Sequence, residues 1–382
     1  MTLRLLFLLN DAPFFVTHRL AVAKAARAAG CDVHVALPFD AAAWEIIGAA
    51  GVTLHEIPLR RGARAVLGEL KLIARIWALV GELRPGIVHA VTMKPVLYGG
   101  AIARLRRVPG VVHAITGLGY LFLIQGGIAS LQRALVKRLY GFALGHPNAR
   151  VIFQNPDDLN LFLRGRLVDP GTVVMIRGCG VDMAQFAPMP EPAGPPVVLF
   201  PARVIGDKGA REFVQAARIL KSEGIAATFR LAGRTDPDNP TDIGEAAIRG
   251  WEREGVVEWR GFATDMPAEF ARCHVVCMPS YREGLPRVLI EAAACGRAIV
   301  TTDVPGCREV VKDGDNGLLV SARDGVALAA ALRRLLTDPA LRAAMARRGR
   351  ERAVAEFSVG AFVADSLAAY RAVAGRAWPE AA

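Results

Sequence analysis

Short apolar, β-rich runs alternate repeatedly with helical patterns along this chain. The chain opens with the run Leu3–Leu9, a helical pattern over His18–Ala29 and a second apolar run at Asp32–Leu37. The alternation stops at the proline-rich stretch Pro188–Pro196 and starts again at Val197–Phe200. Strands that alternate with helices form parallel sheets. The sequence therefore predicts two α/β domains, each built on one parallel sheet.

The same patterns place the remaining elements. Strands are predicted at Thr53–Ile57, Gly86–Ala90, Val111–Ile115, Val151–Phe153, Val173–Ile176, Ala227–Ala232, Val256–Trp259, Val275–Pro279 and Ala298–Thr302. Helices are predicted at Ala41–Ala50, Ala65–Leu83, Val96–Leu105, Ala210–Glu223, Asp242–Glu254, Met266–Arg272 and Pro286–Cys295, with an Ala/Arg-rich helical tail over Gly325–Ala377.

The length of 382 residues also favours two domains, because a single hydrophobic core seldom grows beyond about 250–300 residues. Proline fixes φ and lacks an N–H donor, so Pro188–Pro196 holds neither a helix nor a central strand. The predicted division is a first domain at 1–188, a linker at 189–196, a second domain at 197–360 and a C-terminal helical tail at 361–382. We expect the C-terminal helix to pack back on the first domain.

Several classes of protein are disfavoured by the composition. The apolar runs Leu3–Leu9 and Val111–Ile124 are too short, or too interrupted by glycine, for a membrane span of about 20 residues. The first run also lacks a signal-peptide cleavage site, which favours a cytoplasmic protein. The six cysteines are scattered, so reduced thiols are expected. Cys273, His274 and Cys277 lack the further ligands that a zinc site needs.

The net charge of +11 is concentrated in the first half of the chain. Residues 1–195 contain 21 basic and 12 acidic residues, and ten of the basic ones lie between Arg60 and Arg107. A basic surface of this kind favours an anionic partner. Nucleic acid is disfavoured, because the chain shows no aromatic platform, zinc module or basic recognition helix. The hypothesis that remains is an anionic membrane surface.

Two helical patterns in this half are basic and amphipathic. The helix Ala65–Leu83 places Leu67, Leu70, Ile73, Ile76, Trp77 and Val80 along one apolar stripe, next to Arg64, Lys71 and Arg75. The second pattern covers 131–140. Such helices can lie in the headgroup plane of a membrane, or they can simply pack on the sheet.

The clearest chemical signal is the segment from Arg282 to Glu291. Glu283 precedes a glycine turn, and Glu291 follows on the next helix. Backbone N–H groups around Gly284 and Leu285 lie beyond the carboxyl end of the predicted strand, where ligands of parallel α/β sheets bind. Two carboxylates at this spacing can hold hydroxyl groups of two sugars on either side of a diphosphate.

The cations that such a diphosphate needs follow another strand. Arg203 and Lys208 come after the run Val197–Phe200, at a strand-to-helix junction. Guanidinium and ammonium groups at this position can neutralise a leaving diphosphate without a metal ion.

Together these residues resemble the retaining glycosyltransferases of GT-B fold that carry Glu, seven residues and Glu, with an upstream Arg-x4-Lys. Nearly the whole chain resembles that family. It is most similar to bacterial enzymes that add an N-acetylhexosamine or hexose to an undecaprenyl-diphosphate-linked sugar. The stretches Ala114–Gly119 and Gly178–Asp182 are also similar to that subgroup. The resemblance implies two Rossmann-like domains that face an interdomain cleft.

The resemblance also implies roles for individual residues. Glu291 would hold the donor ribose, Glu283 would hold hydroxyls of the donor sugar, and Arg203 and Lys208 would clamp the diphosphate. The donor site would be completed by Gly261, near the nucleobase, and by the amides of Gly284 and Leu285. No metal and no cofactor is expected, and the co-substrate would be a nucleotide sugar, with UDP favoured over GDP.

The acceptor-binding residues are expected in the first domain. Candidates are His18 and Arg19 after the first strand, Thr92 and Lys94 after the strand Gly86–Ala90, and Thr116. Relatives commonly have a Gly-Gly loop after the first strand and a histidine at the position of Thr116. This chain instead has Asn10–Phe15 after its first strand.

The sequence thus predicts a metal-independent, retaining transferase that uses a polyprenyl-diphosphate-linked saccharide and works on the inner leaflet of the cell membrane. Four alternatives stay open: use of GDP-mannose, use of a soluble acceptor, a GT-B epimerase, and a noncatalytic sugar-nucleotide-binding protein. A dinucleotide-dependent dehydrogenase is disfavoured, because Gly117-Leu118-Gly119 continues without the third glycine of that fingerprint.

Overall fold

The computed structural model describes residues 2–59, 66–117 and 127–379, with the side chains of Val66 and residues 127–135 left out of the description. The chain divides into two compact units. Unit 1 comprises Met1–Gly180 and Gly360–Ala382, and unit 2 comprises Val181–Val359. Arg60, Arg61 and Arg64, together with Leu118–Gly119 of the similar stretch, lie outside the described residues.

Unit 1 is built on a seven-stranded parallel sheet of order β3-β2-β1-β4-β5-β6-β7. The strands are β1 (Arg4–Leu8), β2 (Asp32–Leu37), β3 (Thr53–Glu56), β4 (Ile87–Val91), β5 (Gly110–Ile115), β6 (Ala149–Phe153) and β7 (Val173–Met175). The helices are α1 (Ala12–His18), α2 (Leu20–Ala28), α3 (Ala41–Ala49), α4 (Val66–Leu83), α5 (Gly100–Leu105), α6 (Gly127–Leu144) and α7 (Pro156–Arg164). A π-helical turn, Pro95–Gly99, leads into α5.

Unit 2 is built on a six-stranded parallel sheet of order β10-β9-β8-β11-β12-β13. The strands are β8 (Val197–Phe200), β9 (Thr228–Leu231), β10 (Glu258–Trp259), β11 (Val275–Met278), β12 (Ala298–Thr302) and β13 (Leu318–Val320). The helices are α8 (Ala210–Ser222), α9 (Glu245–Arg253), α10 (Met266–Ala271), α11 (Arg287–Ala294), α12 (Cys307–Val310), α13 (Gly325–Thr337) and α14 (Pro339–Glu356). The last helix, α15 (Val359–Ala374), belongs to unit 1 from Gly360 onward.

The predicted class of two parallel-sheet α/β domains is confirmed. The central strands are buried on both faces, which explains why they are nearly continuous apolar runs. The C-terminal helix α15 packs on the sheet of unit 1, as expected, with Phe362, Tyr370 and Val373 in the core that contains Phe7 and Val33.

The units divide eight residues before the predicted domain boundary. The proline-rich stretch is free of helix and strand, and it packs against unit 2. Glu191 forms an ion pair with the buried Arg342 at 2.7 Å, and Arg297 donates to the carbonyls of Met189 and Pro190. The stretch therefore belongs structurally to unit 2.

The predicted first helix, His18–Ala29, begins earlier and is split in two. The Asp11 side chain accepts a hydrogen bond from the Phe14 N–H and so starts α1, with Pro13 in its first turn. Aspartate at the N-cap followed by proline is a favourable helix start. The stretch Asn10–Phe15 after the first strand thus contains the beginning of a helix.

Candidate active site

The candidate donor residues follow the two strands on either side of the point where the strand order of unit 2 reverses. Arg203 and Lys208 follow β8, and Glu283 follows β11, which pairs directly with β8. In open parallel sheets the crevice beyond such a switch point is where ligands bind. Arg203, Lys208 and Glu283 therefore follow adjacent strands at the carboxyl edge of one sheet, and Glu291 lies on the helix after Glu283.

Glycine allows the two connections to approach closely. Gly209 ends the turn that carries Lys208, with φ of +78°, and a Cβ there would lie 2.1 Å from the Pro279 carbonyl oxygen. Tyr281 N–H donates to the Asp207 carbonyl at 2.9 Å. A second close approach occurs at Gly306, where a Cβ would lie 2.8 Å from the Glu283 carbonyl oxygen. The side chains of Lys208 and Glu283 are thereby held next to each other.

Both predicted clamp cations are ion-paired with carboxylates in this structure. Lys208 Nζ contacts Glu283 Oε1, and Arg203 Nη1 contacts Asp236 Oδ2. All four side chains are partly exposed. Asp236, which follows β9, was missed in the sequence analysis. Its aperiodic loop gives no sequence signal, because only the pairing of β9 with β8 brings it to Arg203.

Glu291 lies on α11 and is 92% buried. Its Oε1 accepts a hydrogen bond from Arg287 Nε at 2.6 Å, one helical turn earlier. Burial raises the pKa of the Glu291 carboxyl, and the Arg287 guanidinium partly offsets that rise. A carboxylate in such a site can accept hydrogen bonds from neutral hydroxyls, which do not add further charge.

The turn that joins Glu283 to α11 carries the other two candidates. Gly284 and Leu285 precede Pro286, which is the N-cap of a helix that lacks a side-chain cap. The predicted helix start, Pro286, is one residue earlier than the observed Arg287, a difference within ordinary boundary variation. Gly261 lies after β10 with φ of +67°, and nothing lies within 4 Å of a Cβ placed there.

Four acceptor candidates of unit 1 come after β1 or β4, the two strands at its own switch point: His18, Arg19, Thr92 and Lys94. His18 stacks on the Phe14 ring at 3.9 Å. Arg19, by contrast, is only 2% exposed and lies over the Phe362 ring, so its guanidinium is not presented to solvent. Burial lowers the Arg19 pKa.

Thr92 and Lys94 lie at the carboxyl end of β4. Thr92 has φ of +72°, which is unusual for a β-branched residue, and its Oγ1 is buried without a hydrogen-bond partner. Lys94 Nζ donates to Glu69 Oε1 at 2.6 Å. The Thr92 N–H donates to the Ala114 carbonyl at 3.3 Å, so the carboxyl ends of β4 and β5 lie side by side. Thr116, which is partly buried, follows β5.

The sequence pattern alone does not indicate a role for Glu69 or Tyr98. Glu69 lies on α4 and contacts Lys94, while Tyr98 lies on the π-helical turn. The pKa of Tyr98 is raised to about 12, first by burial and then by its interaction with the Glu69 carboxylate. A glutamate on an amphipathic helix is indistinguishable from a solvated one until the tertiary structure is known.

All six cysteines are free and buried, and burial raises the thiol pKa of Cys273 and Cys277. Within the described ranges, no three His, Cys, Asp or Glu side chains are grouped as a metal ion would need. In the same part of the chain, no helix combines the length and the apolar character required to cross a bilayer.

Two family models match the chain. Residues 4–154 match the model described as glycosyl transferase 4-like, and residues 195–338 match the model described as glycosyl transferases group 1.

Relatives of known name are also glycosyltransferases. The chain is 25% identical over 367 residues to the N,N'-diacetylbacillosaminyl-diphospho-undecaprenol alpha-1,3-N-acetylgalactosaminyltransferase of Campylobacter jejuni. The aligned region covers 92% of this chain and 94% of that protein. The chain is 33% identical over 233 residues to the D-inositol 3-phosphate glycosyltransferase of Kineococcus radiotolerans. This aligned region covers 53% of this chain and 52% of that protein.

Solved structures agree on the fold. HepE from Anabaena, in complex with UDP and glucose, superposes with a TM-score of 0.76 at 19% identity and covers 96% of this chain and 99% of its own. Sucrose-phosphate synthase from Thermosynechococcus elongatus gives 0.77 at 22% identity, with 97% and 98% covered. These findings support a glycosyltransferase of GT-B fold.

Proposed function

We propose that the chain is a retaining, metal-independent glycosyltransferase. It moves an N-acetylhexosamine or a hexose from a UDP-sugar to a polyprenyl-diphosphate-linked saccharide, during assembly of a bacterial surface glycan or glycoprotein glycan. The observation that carries this proposal is the position of Arg203, Lys208 and Glu283 after the adjacent strands β8 and β11, with the buried Glu291 on the helix that follows. The Campylobacter relative, similar over nearly its whole length, supports the choice of acceptor.

In the proposed reaction the donor diphosphate displaces Asp236 and Glu283 from the two cations. Arg203 and Lys208 then neutralise the charge that develops as the bond between the sugar C1 and the phosphate oxygen breaks. Glu283, once released, accepts hydrogen bonds from the donor sugar hydroxyls. Glu291 accepts hydrogen bonds from the ribose.

The acceptor hydroxyl attacks C1 from the face that the diphosphate leaves. A new bond forms between C1 and the acceptor oxygen, the bond to the phosphate oxygen breaks, and the acceptor proton passes to the departing phosphate. The configuration at C1 is retained. No pair of flanking carboxylates, as glycoside hydrolases use, is needed for this reaction.

Transfer assays analysed by mass spectrometry test the proposal. Purified protein is incubated with UDP-GalNAc, UDP-GlcNAc, UDP-galactose or GDP-mannose and a short polyprenyl-diphosphate sugar. We expect one UDP-sugar to extend the acceptor by one residue with its anomeric configuration kept, and we expect full activity in excess EDTA. Product from GDP-mannose alone would contradict the UDP-sugar donor. Inversion at C1 would contradict the retaining mechanism. Loss of activity with EDTA that added metal restores would contradict metal independence.

Lys94 is proposed to contact the acceptor diphosphate. One of its three N–H donors binds Glu69, and no described residue takes up the other two. We expect Lys94→Ala to raise the acceptor KM about tenfold, the effect of losing one charge-assisted hydrogen bond, while the donor KM stays unchanged. Steady-state kinetics with each substrate varied in turn measures this difference.

The exposed Lys24 on α2 provides the matched control, and Lys24→Ala should change neither KM. Glu69→Gln keeps the shape of the Lys94 contact but removes its charge, so it should shift the acceptor KM and leave the donor KM unchanged. A rise in donor KM with an unchanged acceptor KM would show that Lys94 is not an acceptor residue.

A further inference from the structure

Helix α4 has two apolar faces, which an ordinary surface helix does not need. One face is buried in the core of unit 1 through Leu72, Ile76, Leu79 and Val80. The other points to solvent, where Leu67 is 74%, Leu70 56% and Trp77 40% exposed. The single stripe predicted from the sequence is therefore wrong: it combined residues of two faces. The outer face has no partner within the described residues of the chain.

Three arginines surround a pocket of about 400 Å³ at the C-terminal ends of α4 and α5. Arg84 follows α4, while Arg106 and Arg107 follow α5, and all three are exposed. In the described part of the chain none of them forms an ion pair with a carboxylate. Cations at helix C-termini are favourable in themselves, but three around one pocket repel each other. Such a pocket favours an anion that accepts several N–H bonds, as a phosphate group does.

The pocket and the outer apolar face form one continuous surface. The Arg106 guanidinium lies 4.1 Å from the centre of the Trp77 ring. Leu105, next to Arg106, is 59% exposed. We name this surface, formed by Leu67, Leu70, Trp77, Leu105, Arg84, Arg106 and Arg107, the α4 docking face. Aromatic and aliphatic side chains bordered by arginine match a bilayer interface, where apolar groups enter the acyl boundary and cations contact headgroups.

The direction of α4 connects this face to the candidate acceptor residues. The helix follows β3 and precedes β4, so it runs from the carboxyl edge of the parallel sheet back to the amino edge. Leu67 and Leu70 lie near its start, next to Glu69, which holds Lys94. A bilayer lying along the helix would reach both the arginine pocket and the carboxyl edge of the sheet.

We propose that the α4 docking face binds an anionic bilayer and that Arg84, Arg106 and Arg107 take up a lipid headgroup phosphate. This inference deepens the proposed function, since it supplies the surface from which a lipid-linked acceptor is reached. A second copy of the chain fits the face less well, because two such faces would bring uncompensated arginines together. The charge of the pocket thus favours lipid over self-association.

Vesicle co-flotation of the full chain tests the inference. The vesicles contain phosphatidylcholine alone or phosphatidylcholine with phosphatidylglycerol. We expect flotation only with the anionic lipid, and we expect Arg84→Gln, Arg106→Gln and Arg107→Gln together to weaken partitioning about 100-fold, since each basic residue near an anionic surface contributes about fivefold. Trp77→Ala should weaken it further.

The matched control removes the same charge elsewhere, through Arg211→Gln, Arg253→Gln and Arg347→Gln on exposed positions of unit 2. It should float like the parent chain, and thermal unfolding should show that both triple variants are folded. Equal losses in the two triple variants would overturn the inference. Flotation that is unchanged when inorganic phosphate or pyrophosphate saturates the pocket would also overturn it. A dimer, seen by light scattering, that the pocket variant dissociates would overturn it as well.

Transfer to a short-chain acceptor that dissolves in water separates this inference from the proposed function. The pocket variant should keep that activity, because its arginines lie outside the proposed active site. Flotation without any transfer would refute the function and leave the docking face standing. Transfer without flotation would refute the docking face and leave the function standing.

Discussion

Replacing Arg203 or Lys208 by alanine is expected to lower kcat at least 100-fold. Each cation is proposed to stabilise the charge that appears on the departing diphosphate, and loss of one such group costs about 3 kcal/mol of transition-state stabilisation. The donor KM should change much less than kcat, because the charge develops mainly in the transition state. Steady-state kinetics with a saturating acceptor measures both constants.

Two comparisons make this result specific. Arg347→Ala removes an exposed arginine of the same unit and should leave kcat unchanged. Lys208→Ala also leaves the largely buried Glu283 without its ion pair, so its folding should be checked by thermal unfolding. A change in kcat of less than about threefold is too small for the loss of a charge-stabilising group. If kcat changes by no more than this in both folded clamp variants, these cations do not stabilise the leaving group.

The second large effect is expected at Glu291. Glu291→Ala removes a buried carboxylate proposed to hold two ribose hydroxyls, and we expect the donor KM to rise about 100-fold with a smaller change in kcat. Glu291→Gln keeps one oxygen acceptor and should raise the donor KM about tenfold. Isothermal titration with UDP, which needs no acceptor, provides an independent measurement of the same loss.

The pH dependence gives this prediction a distinct signature. Because burial raises the pKa of Glu291, the carboxylate is protonated at a higher pH than an ordinary glutamate. The parent donor affinity should therefore fall as the pH is lowered towards that raised pKa, and Glu291→Gln should lack this dependence. Glu351→Gln, at an exposed position of α14, is the control. An unchanged donor affinity in Glu291→Ala would contradict the ribose role.

The sequence predicts most of the sheet framework because central parallel strands are buried on both sides and so are marked by apolar runs. The positions of Arg203, Lys208 and Glu283 at one edge of the sheet were predictable for a related reason. Each residue directly follows such a strand, and the carboxyl ends of parallel strands share an edge. Glu291 could be placed by its distance along the following helix.

Contacts that depend on tertiary structure were not predictable. Asp236 lies in an aperiodic loop, and only the pairing of β9 with β8 brings it to Arg203. Glu69 resembles a solvated residue until α4 lies beside Lys94. The apolar residues of α4 occupy neighbouring positions around the helix, so the sequence pattern assigned Ile76 and Trp77 to one stripe. In the structure Ile76 is buried in the core and Trp77 is exposed.

The cations and carboxylates beyond β8 and β11 are proposed to hold the donor nucleotide. A crystal structure of the protein with UDP tests this proposal. We predict the diphosphate on Arg203 and Lys208, released from Asp236 and Glu283, with the ribose hydroxyls on Glu291. A nucleotide bound elsewhere, while both cations keep their carboxylate partners, would contradict the claim.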